Sequence, residues 1–106
     1  MLTETDQSIA KEFQRRLMAL VPVLDLCVFG SRSRGDATED SDMDIFIKVE
    51  RINPELRQRI FDLAWEVGFE RDRIISTIVA TEDQLRHGAF GANPLVDKIK
   101  KEGARL

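Results

Sequence analysis

Thiols and imidazoles are scarce in this chain, which has one cysteine, Cys27, and one histidine, His87. A lone cysteine cannot close a disulfide within the chain, and no paired-cysteine or HExxH spacing occurs, so thiolate or imidazole metal chemistry has no support. GxGxxG is missing as well. No apolar run approaches the roughly 18 residues that suggest a membrane span. The opening "MLTETDQ" lacks the basic and apolar regions of a secretory signal, so the expectation is a cytoplasmic protein with no membrane contact. An excess of positive charge is also lacking: 16 Lys and Arg stand against 19 Asp and Glu, a formal net charge of −3. Without a global basic field, direct nucleic-acid binding is not expected, and any nucleotide must be held locally.

What is present belongs to a water-soluble globular protein, with 42% hydrophobic and 33% charged residues. A length of 106 residues suits a single domain over 1–106. Ile9, Phe13, Leu17 and Leu20 recur at helical spacing from Thr5 onward, and Pro22 discourages continuation. Leu24 to Phe29 is a short apolar run that reads as a strand buried on both faces. Asp42 to Val49 alternates, with Met43, Ile45 and Ile47 on one face and Asp42, Asp44, Phe46 and Lys48 on the other. Asn53-Pro54 opens a helix whose apolar face is Leu56, Ile60, Leu63, Ala64 and Val67, and Gly68 is its expected stop. Ile74 to Ala80 is β-branched and apolar, a third strand. Thr81 and Gln84 then form a capping box for a short helix, with His87 at its end, and Asn93-Pro94 opens a last helix. Strands separated by helices predict a small α/β sheet covered by helices, although the short gap between the first two strands also permits antiparallel pairing.

The stretch "FGSRSRGDATEDSDMDIFI" holds the chemistry. Residues two apart on a strand share a face, so Asp42 and Asp44 should project together with Cα atoms about 6.5 Å apart. Two like charges that close repel, and a hard divalent cation relieves the conflict. Mg²⁺ (or Mn²⁺) ordinarily takes only one or two protein carboxylates and leaves other positions to water and substrate phosphates, which points to a nucleoside triphosphate. Gly30-Ser31, at the exit of the first strand, supplies the matching cradle: glycine admits close backbone approach, and N–H groups at a following helix start bind anions. Arg32 and Arg34 bring cations into the same turn, where guanidinium can hold phosphate bidentately. "GSRSRGDA" is not a P-loop, because Asp36-Ala37 stands where Lys-Ser/Thr is required. The single tryptophan, Trp65, and the phenylalanines read as core or helix surface, and "KIKK" as a solvated helix face.

Gly30-Ser31, a ten-residue spacer and Asp42-Met43-Asp44-Ile45 resemble the signature of the polymerase-beta-type nucleotidyltransferase superfamily. The fuller string and the chain length resemble the minimal nucleotidyltransferases, small proteins often paired with a HEPN-domain partner in toxin–antitoxin modules. The resemblance implies an α/β (α+β) fold with a small mixed sheet and helices packed on it. It implies that Gly30, Ser31 and Arg34 meet the triphosphate of ATP or another NTP, and that Asp42 and Asp44 are catalytic and bind Mg²⁺ (or Mn²⁺). A nucleotidyl group would pass to a hydroxyl acceptor, with a HEPN-domain protein as a possible partner. The family also uses a third acid on a later strand; here "IISTIVA" offers Ser76 and Thr77, with Asp72 at its leading edge. The alternative that this leaves open is an antitoxin-like binding subunit with little or no catalysis.

Overall fold

A computed structural model of the chain describes residues 2–30, 32, 42–88 and 93–105. Helix α1 spans Glu4–Leu20, and Thr3 caps it by accepting the Asp6 N–H at 3.0 Å. It ends where Val21, the residue before a proline, turns extended (φ −153, ψ 146). Strands β1 (Val23–Phe29) and β2 (Met43–Val49) follow, then helix α2 (Pro54–Arg71), strand β3 (Ile75–Thr81), helices α3 (Glu82–His87) and α4 (Pro94–Glu102), and strand β4 (Ala104–Arg105). Asn53 caps α2 with Pro54 at its first position, Asn93-Pro94 does the same for α4, and Thr81 and Gln84 close the capping box of α3.

The sheet order is β3-β2-β1-β4. β1 pairs antiparallel with β2 and with β4, and β2 pairs parallel with β3. The sheet is therefore mixed, as expected, and the pairing of the first two strands that the sequence left open is antiparallel. A parallel pair needs a crossover, and α2 supplies it. The alternation of β2 sorts the core into two layers. Met43, Ile45 and Ile47 join Leu26, Val28 and Val79 under α1 and α2, where Phe13, Leu17 and Ile60 are fully buried. Phe46 joins Cys27, Phe29 and Ala80 on the opposite face, which α4 covers through Ile99. Among the described residues no helix is long and apolar enough to cross a membrane.

Two expectations need correction, and one strand was not expected. Gly68 does not end α2, which runs on to Arg71; the left-handed cap is Asp72 (φ 56), whose N–H reaches back to the carbonyls of Gly68 and Phe69. Gly68 is needed for a different reason: a Cβ there would lie 2.5 Å from the Arg73 carbonyl oxygen as the chain turns into β3. Asp42 lies one residue outside β2, which begins at Met43. β4 is a two-residue strand with no pattern of its own, created by α4 delivering the chain back to the β1 edge.

Candidate functional site

Asp44 is the second residue of β2 and half-buried on the sheet face away from α1 and α2. Its cross-strand neighbours are Phe29 on β1 and Ser76 on β3. Gly30 follows Phe29 directly and has φ +76, a left-handed conformation natural to glycine. A Cβ on Gly30 would stand 2.5 Å from Oδ2 of Asp44. The backbone leaving β1 thus lies directly against the carboxylate, and a side chain at position 30 would both displace Asp44 and sit in a strained left-handed backbone. Asp42 is exposed, just ahead of the strand. The peptide N–H that follows it, that of Met43, donates to the Ile74 carbonyl at 2.8 Å, which anchors this end of β2 to the start of β3.

Ser31 and Arg34 lie outside the described residues; of the other three predicted site residues the structure brings Gly30 and Asp44 together and places Asp42 exposed, just ahead of β2. Arg32 is described, and it departs from the expectation of a phosphate-facing cation. Its guanidinium is 5% exposed and donates through Nη1 to Oδ1 of Asp6 at 3.1 Å, with Asp6 itself 2% exposed. This pair ties the turn after β1 to the first turn of α1. The sequence signal for Asp6 was present but unread: Asp6, Ile9, Ala10, Phe13 and Leu17 are the buried residues of α1, so the acid continues the apolar stripe one turn toward the N-terminus. Asp72, the nearest acid ahead of β3, is exposed and its backbone forms the left-handed cap of α2, whereas Ser76 is the residue in register with Asp44.

The donor set fits a cation carried in with phosphates. Two acidic residues, one half-buried and one exposed, offer hard oxygen ligands beside a bare backbone turn. They do not amount to a cage, since among the described residues no group of three or more His, Cys, Asp or Glu is placed to hold a metal ion. The next row of the same face is apolar, with Ile78, Phe46 and Cys27 side by side, and the row after it is charged. There Arg105 donates to both carboxylate oxygens of Asp25, at 3.0 and 2.8 Å, and holds the Asp25 carboxyl below its usual range. Burial pushes the Cys27 thiol in the opposite direction, up to about 11.

The site is a half-buried acid, Asp44, in register with Ser76 of β3 and against the Gly30 turn that exits β1. The chain belongs to the nucleotidyltransferase domain family, whose pattern it matches over residues 8–103. Its fold resembles that of a candidate minimal nucleotidyltransferase, with a TM-score of 0.65, 21% identity, and coverage of 100% of this chain and 97% of that one. A toxin–antitoxin crystal structure with AMP-PNP is similar over 90% of this chain and 70% of its own, with a TM-score of 0.63 and 19% identity. A complex of a tri-AMPylated HEPN toxin from Shewanella oneidensis with its MNT antitoxin is similar over 93% and 69%, with a TM-score of 0.61 and 18% identity. No curated protein sequence matches the chain significantly.

Proposed function

We propose that residues 1–106 act as one nucleotidyltransferase domain that binds a nucleoside triphosphate, ATP in the simplest case, and transfers its nucleotidyl group to a hydroxyl on a HEPN-type partner protein. The observation that carries this reading is the contact of the Gly30 turn with the Asp44 carboxylate, where a Cβ would clash at 2.5 Å. Phosphate against that backbone would lie beside the Asp44 carboxylate, and a divalent cation between them would offset the repulsion of the two anions. Gly30, Ser31 and Arg34 hold the triphosphate; Asp42 and Asp44 hold Mg²⁺ or Mn²⁺. The cation, when bound, supplies positive charge to phosphate oxygens and orients them. In the transfer itself the acceptor oxygen attacks the α-phosphorus, its proton passes to solvent or a nearby base, and the bond to pyrophosphate breaks. The chain's residues contribute mainly by positioning. The structural neighbours support the same reading, one by its AMP-PNP and one by the AMPylated toxin in its complex.

A second reading is favoured by one feature. Ser76, not a carboxylate, is in register with Asp44, which suits an antitoxin-like subunit that binds its partner with slow or absent transfer. Label transfer from α-³²P-ATP to a co-purified HEPN-type partner separates the two. Labelling that disappears in Asp44→Asn supports the enzyme; no labelling by a wild-type complex that binds ATP supports the binding subunit.

A further inference from the structure

Helix α2 carries three aromatic side chains on its solvent side. Phe61, Trp65 and Phe69 recur every four residues and are 61%, 68% and 81% exposed, so they form one stripe. The flank of α2 that faces α1 lies elsewhere, where Arg16 pairs with Glu66 and Glu70. The stripe is therefore turned away from α1, toward the side on which β3 is the outermost strand.

Among the described residues no strand lies beyond that edge, although at its far end the Thr81 N–H is taken by the Gln84 side chain at 2.9 Å. An exposed edge presents a row of N–H and C=O groups that templates pairing with another chain, and proteins ordinarily blunt it with charge, proline, a bulge or extreme shortness. The opposite edge obeys the rule: β4 is two residues long and includes Arg105. β3 does not. It is seven residues, ISTIVAT, with neither a charge nor a proline, and no strand among the described residues pairs with its outer side. Ile74, just ahead of it, adds an apolar side chain that is 59% exposed.

The helix stripe and the strand edge share a centre. As the crossover between parallel strands, α2 runs opposite to β3, and the two meet at the turn through Asp72. Trp65 lies six residues back from the end of the helix, about 9 Å at 1.5 Å per residue. Ile78, the middle of β3, lies three residues in from its start, about 10 Å at 3.3 Å per residue. A twofold axis normal to the sheet at that level would pair β3 antiparallel with its own copy. It would also set Trp65 against Trp65 and Phe61 against Phe69 of the other copy.

We propose that the β3 edge and the aromatic stripe of α2 form one face on which a second copy of this chain docks, joining two sheets edge to edge. At roughly 150–250 Å² per buried aromatic side chain, the three exposures leave on the order of 400 Å² per copy, or about 800 Å² across the pair. Specific interfaces bury roughly 1,200–2,000 Å², so the stripe alone falls short and the paired strands and Ile74 would have to supply the remainder. A different partner would have to offer a strand edge and an apolar helix at this same spacing; a second copy offers both by symmetry. Docking this way uses the strand edge and the helix side, and leaves the opposite sheet face, with Asp44 and Ser76, open.

Sedimentation equilibrium on the purified chain tests the proposal. The expected result is a dimer at tens of micromolar, with the emission of Trp65, the sole tryptophan, shifting to the red on dilution. Trp65→Glu and Phe61→Glu replace exposed residues, so each should keep the wild-type circular dichroism while weakening dimerisation at least tenfold. In a Trp65→Cys variant, oxidation should crosslink two copies, and a Glu55→Cys control, off the stripe, should not. A monomeric wild type at those concentrations overturns the proposal, as does a dimer that survives Trp65→Glu. Concentration-independent Trp65 emission that shifts only when a HEPN-type partner is added also overturns it.

Discussion

Replacing Asp6 by leucine removes the carboxylate that meets Arg32 at 3.1 Å in a site where the two side chains are only 2% and 5% exposed. The guanidinium stays behind in the interior without that counter-charge. Removing one partner of a buried pair typically costs about 3–5 kcal/mol. Asp6 also stands in the first turn of α1, where the helix dipole favours a carboxylate by a further ~0.3–1 kcal/mol. A loss of about 4 kcal/mol is therefore expected, a large part of the ~5–15 kcal/mol that holds a domain folded. With a urea m-value of about 1.5 kcal/mol/M, the denaturation midpoint should fall by about 2–3 M. The double variant Asp6→Leu/Arg32→Met replaces the pair by apolar groups and should recover most of the stability, since the desolvation cost disappears along with the attraction. Nucleotide affinity should stay low in the double variant, because the turn after Gly30 has lost its tether to α1. An Asp6→Leu variant less than about 1 kcal/mol below wild type would show that solvent or another group compensates the guanidinium, and a double variant no better than the single one would show that charge is not the cause.

Gly30→Ala meets both a left-handed backbone and a 2.5 Å contact with the Asp44 carboxylate; it should cost about 1–3 kcal/mol by thermal denaturation and weaken ATP binding in titration calorimetry, and unchanged affinity would remove the turn from the site. Ser76→Asp sets a third carboxylate beside Asp44 and should raise Mg²⁺ affinity, whereas Thr77→Asp, in register with the core residue Ile45, should not; equal responses in the two would mean that the register does not govern the site. Cys27 has its thiol pushed up to about 11 by burial, from an ordinary value of 9. Because the folded value is the higher one, its contribution to stability is complete below pH 9 and disappears as pH rises to 11. The urea midpoint should fall across that window in wild type and fall less in Cys27→Ala; identical slopes would refute the assignment.

Much of this was legible in the sequence because it is local. Asn53-Pro54, Asn93-Pro94 and the Thr81–Gln84 box announce helix starts through hydrogen bonds that span only two or three residues. The period-two alternation from Met43 to Lys48 sorted the two faces of β2, and placed Asp44 opposite the helix-covered core, without any knowledge of the neighbouring strands. Gly30, expected to admit close approach of a phosphate, has its backbone against the Asp44 carboxylate, a contact that local sequence does not announce. The features that were misread depend on groups far apart in the chain. Arg32 looks like a phosphate ligand beside Gly30-Ser31 until α1 folds back and supplies Asp6, 26 residues away in sequence. Gly68 looks like a helix stop until β3 returns and sets the Arg73 carbonyl against it. β4 exists only because α4 carries two residues to the open edge of β1, and Ser76 became the neighbour of Asp44 only when the α2 crossover set the parallel register. Caps and alternation involve neighbours that the covalent chain keeps adjacent in every conformation; counter-charges, close backbone contacts and strand register have no partner until the tertiary fold provides one.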